Sequence, residues 1–198
     1  EKLAEMMVGR DVLFSFPKGK KPGEEIILKL EGIATPVEKG KVALQNINFN
    51  LHVGEILGIA GVEGNGQREL AELIVGLIKP RKGRIFFRGE DITFLSTKER
   101  IKRGIAHIPE DRMQRGIISD FTVWENLIIG FEDQPPFVKA KLTLNHSFLK
   151  QFSSQKIKEF EIDAPGNDVL VKNLSGGNQQ RVVLARELSG NVVLLVAS

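Results

Sequence analysis

The chain of 198 residues is 41% hydrophobic and 27% charged, an ordinary globular composition for which one domain is the first expectation. Its 28 basic and 25 acidic residues leave a net charge of +3, too small an excess to require a nucleic-acid partner. The absence of cysteine excludes a disulfide framework and a thiolate metal site. No apolar run reaches membrane-spanning length and the N-terminus lacks a signal-peptide pattern, so a cytosolic protein is expected.

Residues 1–25 begin with a short helical pattern (Leu3, Met6, Met7) and then turn polar, with Pro17, Gly19, Pro22 and Gly23 breaking any regular element. They read as a linker into a domain, and the basic cluster Lys18, Lys20 and Lys21 as part of it. A first strand is expected over residues 25–30. Residues 42–51 alternate in polarity, with a break at Gln45 and Asn46 that fits a bulge. A further strand, residues 55–60, runs into a glycine-rich turn and an amphipathic helix whose Leu70, Leu73, Ile74 and Leu77 share one face.

That turn has the spacing of a phosphate-binding loop, G-x-x-x-x-G-K-[ST], from Gly61 through Val62, Glu63, Gly64 and Asn65 to Gly66. Glycines at a strand-to-helix junction let backbone N–H groups turn inward, and the helix directs its positive end to the same spot. The lysine position holds Gln67, and the hydroxyl position that would ligate Mg²⁺ holds Arg68. Taken alone, the stretch is equally compatible with a tight turn that binds nothing.

Lys79-Pro80 ends this helix and residues 84–87 form another strand, with Glu90-Asp91 as a turn. Ser96 caps a helix over residues 98–103, Gly104 ends it, and residues 105–108 form a short buried strand. The charged segment Pro109-Glu110-Asp111-Arg112 leaves that strand's C-terminal end, where open α/β sheets meet their ligands; a surface turn with a local ion pair is the alternative. Residues 121–129 form a short helix begun by Thr122, and Pro135-Pro136 breaks the chain. Residues 145–161 are helical, with Phe148, Leu149, Phe152, Ile157 and Phe160 as a core stripe. His52, His107 and His146 lack metal-ligand spacing and read as surface or edge residues.

Residues 174–181, LSGGNQQR, open a helix over residues 181–188, with Ser175 as N-cap and Gly176 and Gly177 exposing backbone N–H groups: a second anion site, or a capped helix whose glycines serve close packing. An apolar strand follows over residues 192–197. LSGGNQQR resembles the signature motif of ATP-binding-cassette (ABC) ATPases. GIAGVEGNGQREL, IPEDR and the opening EMMVGR resemble, more narrowly, the second half of the fused two-cassette ATPases of simple-sugar and nucleoside importers. The resemblance covers nearly the whole chain.

It implies an α/β fold: a P-loop NTPase (RecA-like) core sheet, an N-terminal antiparallel β subdomain, and an α-helical subdomain inserted at about residues 115–175. Residues 1–25 would be the inter-cassette linker and 26–198 the nucleotide-binding domain. Nucleotide would lie along Gly61 to Arg68, with Glu110 at the position of the glutamine that senses the γ-phosphate. Counting from the signature places the family's Mg²⁺-supporting aspartate at Ser198, with the catalytic glutamate and switch histidine beyond it, so the chain reads as a truncated cassette. The adenine-stacking aromatic, expected near Thr35-Pro36, is missing.

The implied role is asymmetric. The chain's own ATP site would hydrolyse little, while Ser175, Gly176 and Gly177, with Gln180 orienting their loop, close over ATP and Mg²⁺ held by the N-terminal cassette of the same polypeptide. The implied partners are transmembrane permease subunits, met through the helical insert and Trp124, unless Trp124 is a core residue. The implied location is the inner face of the cell membrane. A soluble ABC-type ATPase and a non-catalytic dimerisation module are the alternatives; the first should have kept the loop lysine and hydroxyl.

Overall fold

The computed structural model describes residues 21–36, 43–139 and 143–198. The N-terminal helical pattern and most of the expected linker lie outside them. Within them, Gly23 donates to the Val53 carbonyl at 2.8 Å and Val53 to the Glu25 carbonyl at 2.9 Å, fastening the chain to the following sheet.

Strand β1 (Ile26–Ala34) lies between β2 (Ile47–His52) and β3 (Lys82–Phe87), and β4 (Glu90–Asp91) completes an antiparallel sheet in the order β2-β1-β3-β4. Glu90-Asp91, expected as a turn, is thus a short edge strand paired with Phe86 and Phe87. The register of β1 slips against both neighbours between Leu30 and Ala34, around Gly32 at φ 58°. The irregularity therefore belongs to β1, although Asn46 does adopt φ 50° at the break read from sequence. Gly83 packs onto this bulge: a β-carbon there would fall 2.4 Å from the Glu31 carbonyl oxygen. Only glycine allows that approach at φ +88°.

Helix α1 (Gln67–Val75) closes on Gly76 at φ 86°, so the stop comes before Lys79-Pro80. Leu70, Leu73 and Ile74 are buried as expected, but Leu77 falls beyond the helix and is 53% exposed. Helix α2 (Thr97–Lys102) carries a full capping box between Ser96 and Glu99. Strand β5 (Ile105–Ile108) pairs in parallel with β8 (Leu194–Ala197). One core joins the antiparallel sheet, α1, β5 and β8 through Leu28, Leu30, Ile33, Leu73, Ile85 and Phe87.

Residues 55–60 are a correction. They are in no strand; Ile56 is 97% exposed and Ile59 51%. Apolar side chains alone do not make a strand: its backbone groups need a neighbouring strand, and among the described residues no strand pairs with these.

The segment after β5 builds cores of its own. Helix α3 (Val123–Ile128), capped by a Thr122–Glu125 box, packs with helix α4 (His146–Glu159) and helix α5 (Gly176–Glu187). A short hairpin, β6 (Val138–Lys139) with β7 (Thr143–Leu144), precedes α4. Val123, Leu127, Val171 and Val182 centre one cluster; Ile128, Phe137 and Leu149 centre another, with Phe137 edge-on to Phe148 and Phe152 at 5.2 and 5.0 Å. Trp124 is half-buried, its ring edge-on to His146 at 5.9 Å.

Arg100 ties α1 to the sheet. It is fully buried and donates to five carbonyls: Leu73 and Ile74 at the end of α1, and Ile92, Thr93 and Leu95. Burial lowers its pKa to about 10, which leaves it charged at neutral pH. Arg100→Met should cost about 3 kcal/mol, since buried carbonyls lose a charged donor; a lower urea midpoint at unchanged slope is the expected reading. Gly83→Ala should cost at least about 1 kcal/mol, because the new methyl meets backbone at a positive φ, and is read in the same titration.

Candidate functional site

The glycine turn reaches α1 through Gly66, whose φ of 103° suits glycine and which supplies no side-chain cap. The first-turn N–H groups therefore face the turn without an N-cap side chain. Gln67 bends back over the turn and donates from Nε2 to the Val62 carbonyl at 3.3 Å. A β-carbon on Gly61 would lie 2.1 Å from the same Nε2, so the carboxamide occupies the inside of the loop. Gly61, Val62, Glu63, Gly64 and Asn65 are exposed.

Arg68 pairs with Glu72 one turn on, Nε to Oε1 at 2.9 Å. Glu72 is 6% exposed and also receives Arg115 on the same oxygen. The hydrogen bond to Glu72 holds the Arg68 guanidinium above its usual pKa. Arg115 comes from a π-helical turn, Arg112–Gly116, capped by Asp111, whose side chain accepts from the N–H groups of Met113 and Gln114 at 2.9 and 3.0 Å. Together these groups line a cavity of about 550 Å³ that also takes in Glu63, His107, Glu110, Arg112 and Ser198. The structure thus brings the loop residues Glu63 and Arg68 to the same space as Glu110 and Ser198.

A Mg²⁺ ion bound in the manner of a P-loop ATPase needs oxygen ligands here. The side chain at position 68 is a guanidinium held by a carboxylate, and Ser198 Oγ contacts the Ile108 carbonyl at 3.4 Å. Among the described residues no group of three or more His, Cys, Asp or Glu is arranged to hold a metal ion. The residues do not fit the ion.

The signature turn is not part of this cavity's lining. Ser175 is the N-cap of α5, accepting from the Asn178 N–H at 3.4 Å, and Ser175 and Gly177 are exposed. The helix begins at Gly176, so both glycines lie in its first turn rather than ahead of a start at residue 181. Gln180 is exposed. The side chains that hold the turn are its neighbours: Gln179 donates to the Val171 and Leu174 carbonyls at 3.3 and 3.2 Å, and Asn178 Nδ2 to Ser175 Oγ at 3.0 Å. Helix phase separates buried Gln179 from exposed Gln180, a distinction that composition alone does not supply.

Arg112 links the two sites. A β-carbon on Gly176 would fall 2.6 Å from Arg112 Nη2, so the guanidinium rests against the first turn of α5 while its side chain also lines the cavity. Its Nε is buried without a partner. Sequence reading placed Arg112 in a charged loop but gave it no role.

His107, expected at a surface or edge, faces the cavity from β5, and its Nε2 is buried without a hydrogen-bond partner. Burial lowers its pKa, against the opposing pull of Glu187 and Glu72. A histidine harder to protonate when folded contributes stability above its unfolded pKa of about 6.5 that is lost as pH falls below it. Unfolding titrations between pH 7.5 and 5 should show declining stability, and His107→Gln should flatten the decline.

Residues 44–197 match the ABC transporter family. All of this chain aligns at 33% identity with the nucleoside import ATP-binding protein NupA of Lactococcus lactis, and 99% of it at 36% identity with the glucose import ATP-binding protein TsgD13 of Haloferax volcanii. The chain spans only 39% and 36% of those relatives. A dimeric ATP-binding cassette solved with ADP and phosphate in a post-hydrolysis state superposes with a TM-score of 0.69 over 86% of this chain and 73% of its own, at 23% identity. A nucleotide-free cassette of an ABC transporter superposes at 0.68 over 87% of this chain and 68% of its own, at 24% identity. These structural likenesses establish the fold, the family match covers most of the chain, and the chain belongs to the ABC transporter family as an ATP-binding-cassette domain.

Proposed function

We propose that this chain is the second, degenerate cassette of a two-cassette ATPase that energises import of a sugar or a nucleoside. The observation that carries this reading is the contrast between its two phosphate-facing surfaces. In the loop, Gln67 fills the interior and Arg68 is engaged by Glu72. At the signature, Ser175 and Gly177 stand open at the start of α5, on a turn held from behind by Gln179. The kinship with nucleoside and glucose import proteins supports the transport role.

Residues 1–25 would join the two cassettes, residues 26–198 would form the second, and residues 115–175 would be its helical insert. Ser175 would donate its hydroxyl, and Gly176 and Gly177 their N–H groups, to the γ-phosphate of ATP on the first cassette. Such donors act on charge that grows during phosphoryl transfer. Mg²⁺ would belong to that partner site. The half-buried face of Trp124 would meet the permease from the cytoplasmic side of the membrane. Among the described residues no helix is long and apolar enough to cross a membrane.

Ser175→Ala, introduced into the protein assembled with its partner cassette, should lower ATP turnover by at least about tenfold. Steady-state phosphate release measures it, and unchanged turnover would sink the proposal.

A further inference from the structure

We infer that the loop of this cassette binds the phosphate chain of a nucleoside triphosphate without a metal ion, Arg68 supplying the positive charge that Mg²⁺ brings elsewhere. This rests on the reading of the loop as a nucleotide-facing surface and goes beyond it by naming the counter-charge.

Glu72 is buried and carries two guanidinium groups on one oxygen, from Arg68 on its own helix and from Arg115 on the turn beyond β5. The two arginines are unequally placed. The Arg68 side chain is 57% exposed and Arg115 36%. A buried carboxylate must keep a partner, and Arg115 suffices for that. Arg68 can therefore leave Glu72 without stranding a charge. Its long side chain starts from the first turn of α1, beside the loop, and lines the 550 Å³ cavity there. A guanidinium so placed pairs with phosphate oxygens through two parallel N–H bonds.

The same arrangement opposes a divalent cation. The cavity lining mixes Glu63, Glu72, Glu110 and Asp111 with Arg68, Arg112 and Arg115, so what disfavours Mg²⁺ is local: a guanidinium stands at position 68, where a hydroxyl would ligate the ion. The Gln67 amide, engaged with the Val62 carbonyl, brings no charge where a P-loop has lysine, which leaves Arg68 as the cation next to the loop in the chain.

Calorimetric titration of the 198-residue chain with ATP, once in EDTA and once in excess Mg²⁺, tests this. Affinities agreeing within about threefold are expected, and Arg68→Gln should weaken binding in EDTA by more than about threefold through loss of a charge-assisted contact. Arg68 is exposed, so this variant leaves the core untouched. The double variant Gln67→Lys, Arg68→Ser should make binding Mg²⁺-strengthened. Inorganic tripolyphosphate, which has the phosphates and no base, should bind with the same indifference to EDTA. Wild-type binding strengthened more than about threefold by Mg²⁺ would overturn the inference while leaving the loop a nucleotide site. An Arg68→Gln affinity within that margin, or tripolyphosphate failing to bind, would overturn it as well. Absence of ATP binding in both buffers would remove the loop as a nucleotide site altogether, and the signature role would still be decided separately by Ser175→Ala.

Discussion

A single buried cation sets the geometry on which everything else is hung. Arg100 has no carboxylate among its hydrogen-bond partners; its charge is met by carbonyls from the end of α1 and from the loop after β4. The carbonyls at a helix C-terminus carry partial negative charge and lack partners within the helix. A guanidinium from α2 satisfies them and fixes where α1 ends. Since α1 is one rigid element of nine residues, fixing one end aims the other, and that other end is the glycine loop. The helix also presents Glu72 to Arg115, which joins the core to the segment leading into the helical region.

Around the loop, several of the charges are engaged within the chain. Glu72 draws Arg68 and Arg115 to one oxygen, Asp111 is occupied with backbone N–H groups, and Arg112 lies against α5. At the two positions that follow Gly66 stand an amide, Gln67, and a guanidinium, Arg68. The turn at Ser175–Gly177 carries small residues, an exposed hydroxyl and a buried glutamine, Gln179, behind it. Arg112 lines the cavity and rests against Gly176, so the loop cavity and the first turn of α5 are neighbours through one side chain.

Local chemistry was the part of the sequence that could be read directly. Ser96, Thr122 and Ser175 each cap a helix as expected, because a cap needs only nearby residues; the boxes that Glu99 and Glu125 complete are seen in the structure. The apolar strands β1, β3, β5 and β8 were visible for the same reason. What eluded reading depends on distant partners. Leu57 and Ile59 have strand-like side chains, yet strand formation also requires a paired neighbour. Glu90-Asp91 looked like a turn because its two polar residues carry no periodicity; its pairing with Phe86 and Phe87 makes it a strand. The apolar pattern that placed Leu77 in the helix face ran past the αL stop at Gly76. The cavity-facing position of His107 follows from which side of β5 meets α1 and the charged turn, a matter of tertiary packing.

The unpaired stretch before the loop gives the cassette an uneven grip on its own ligand site. Downstream, the loop is fastened to a packed helix that Arg100 holds; upstream, residues 56–60 have no ladder to stiffen them, and Ile56 stands in solvent. Such an unpaired approach gives residues 56–60 a freedom that the Val62 carbonyl, accepting from the Asn65 N–H at 3.2 Å and from Gln67 Nε2 at 3.3 Å, does not share. Anything seated there must freeze that freedom as it arrives, so occupancy and stiffening of the upstream arm become one event.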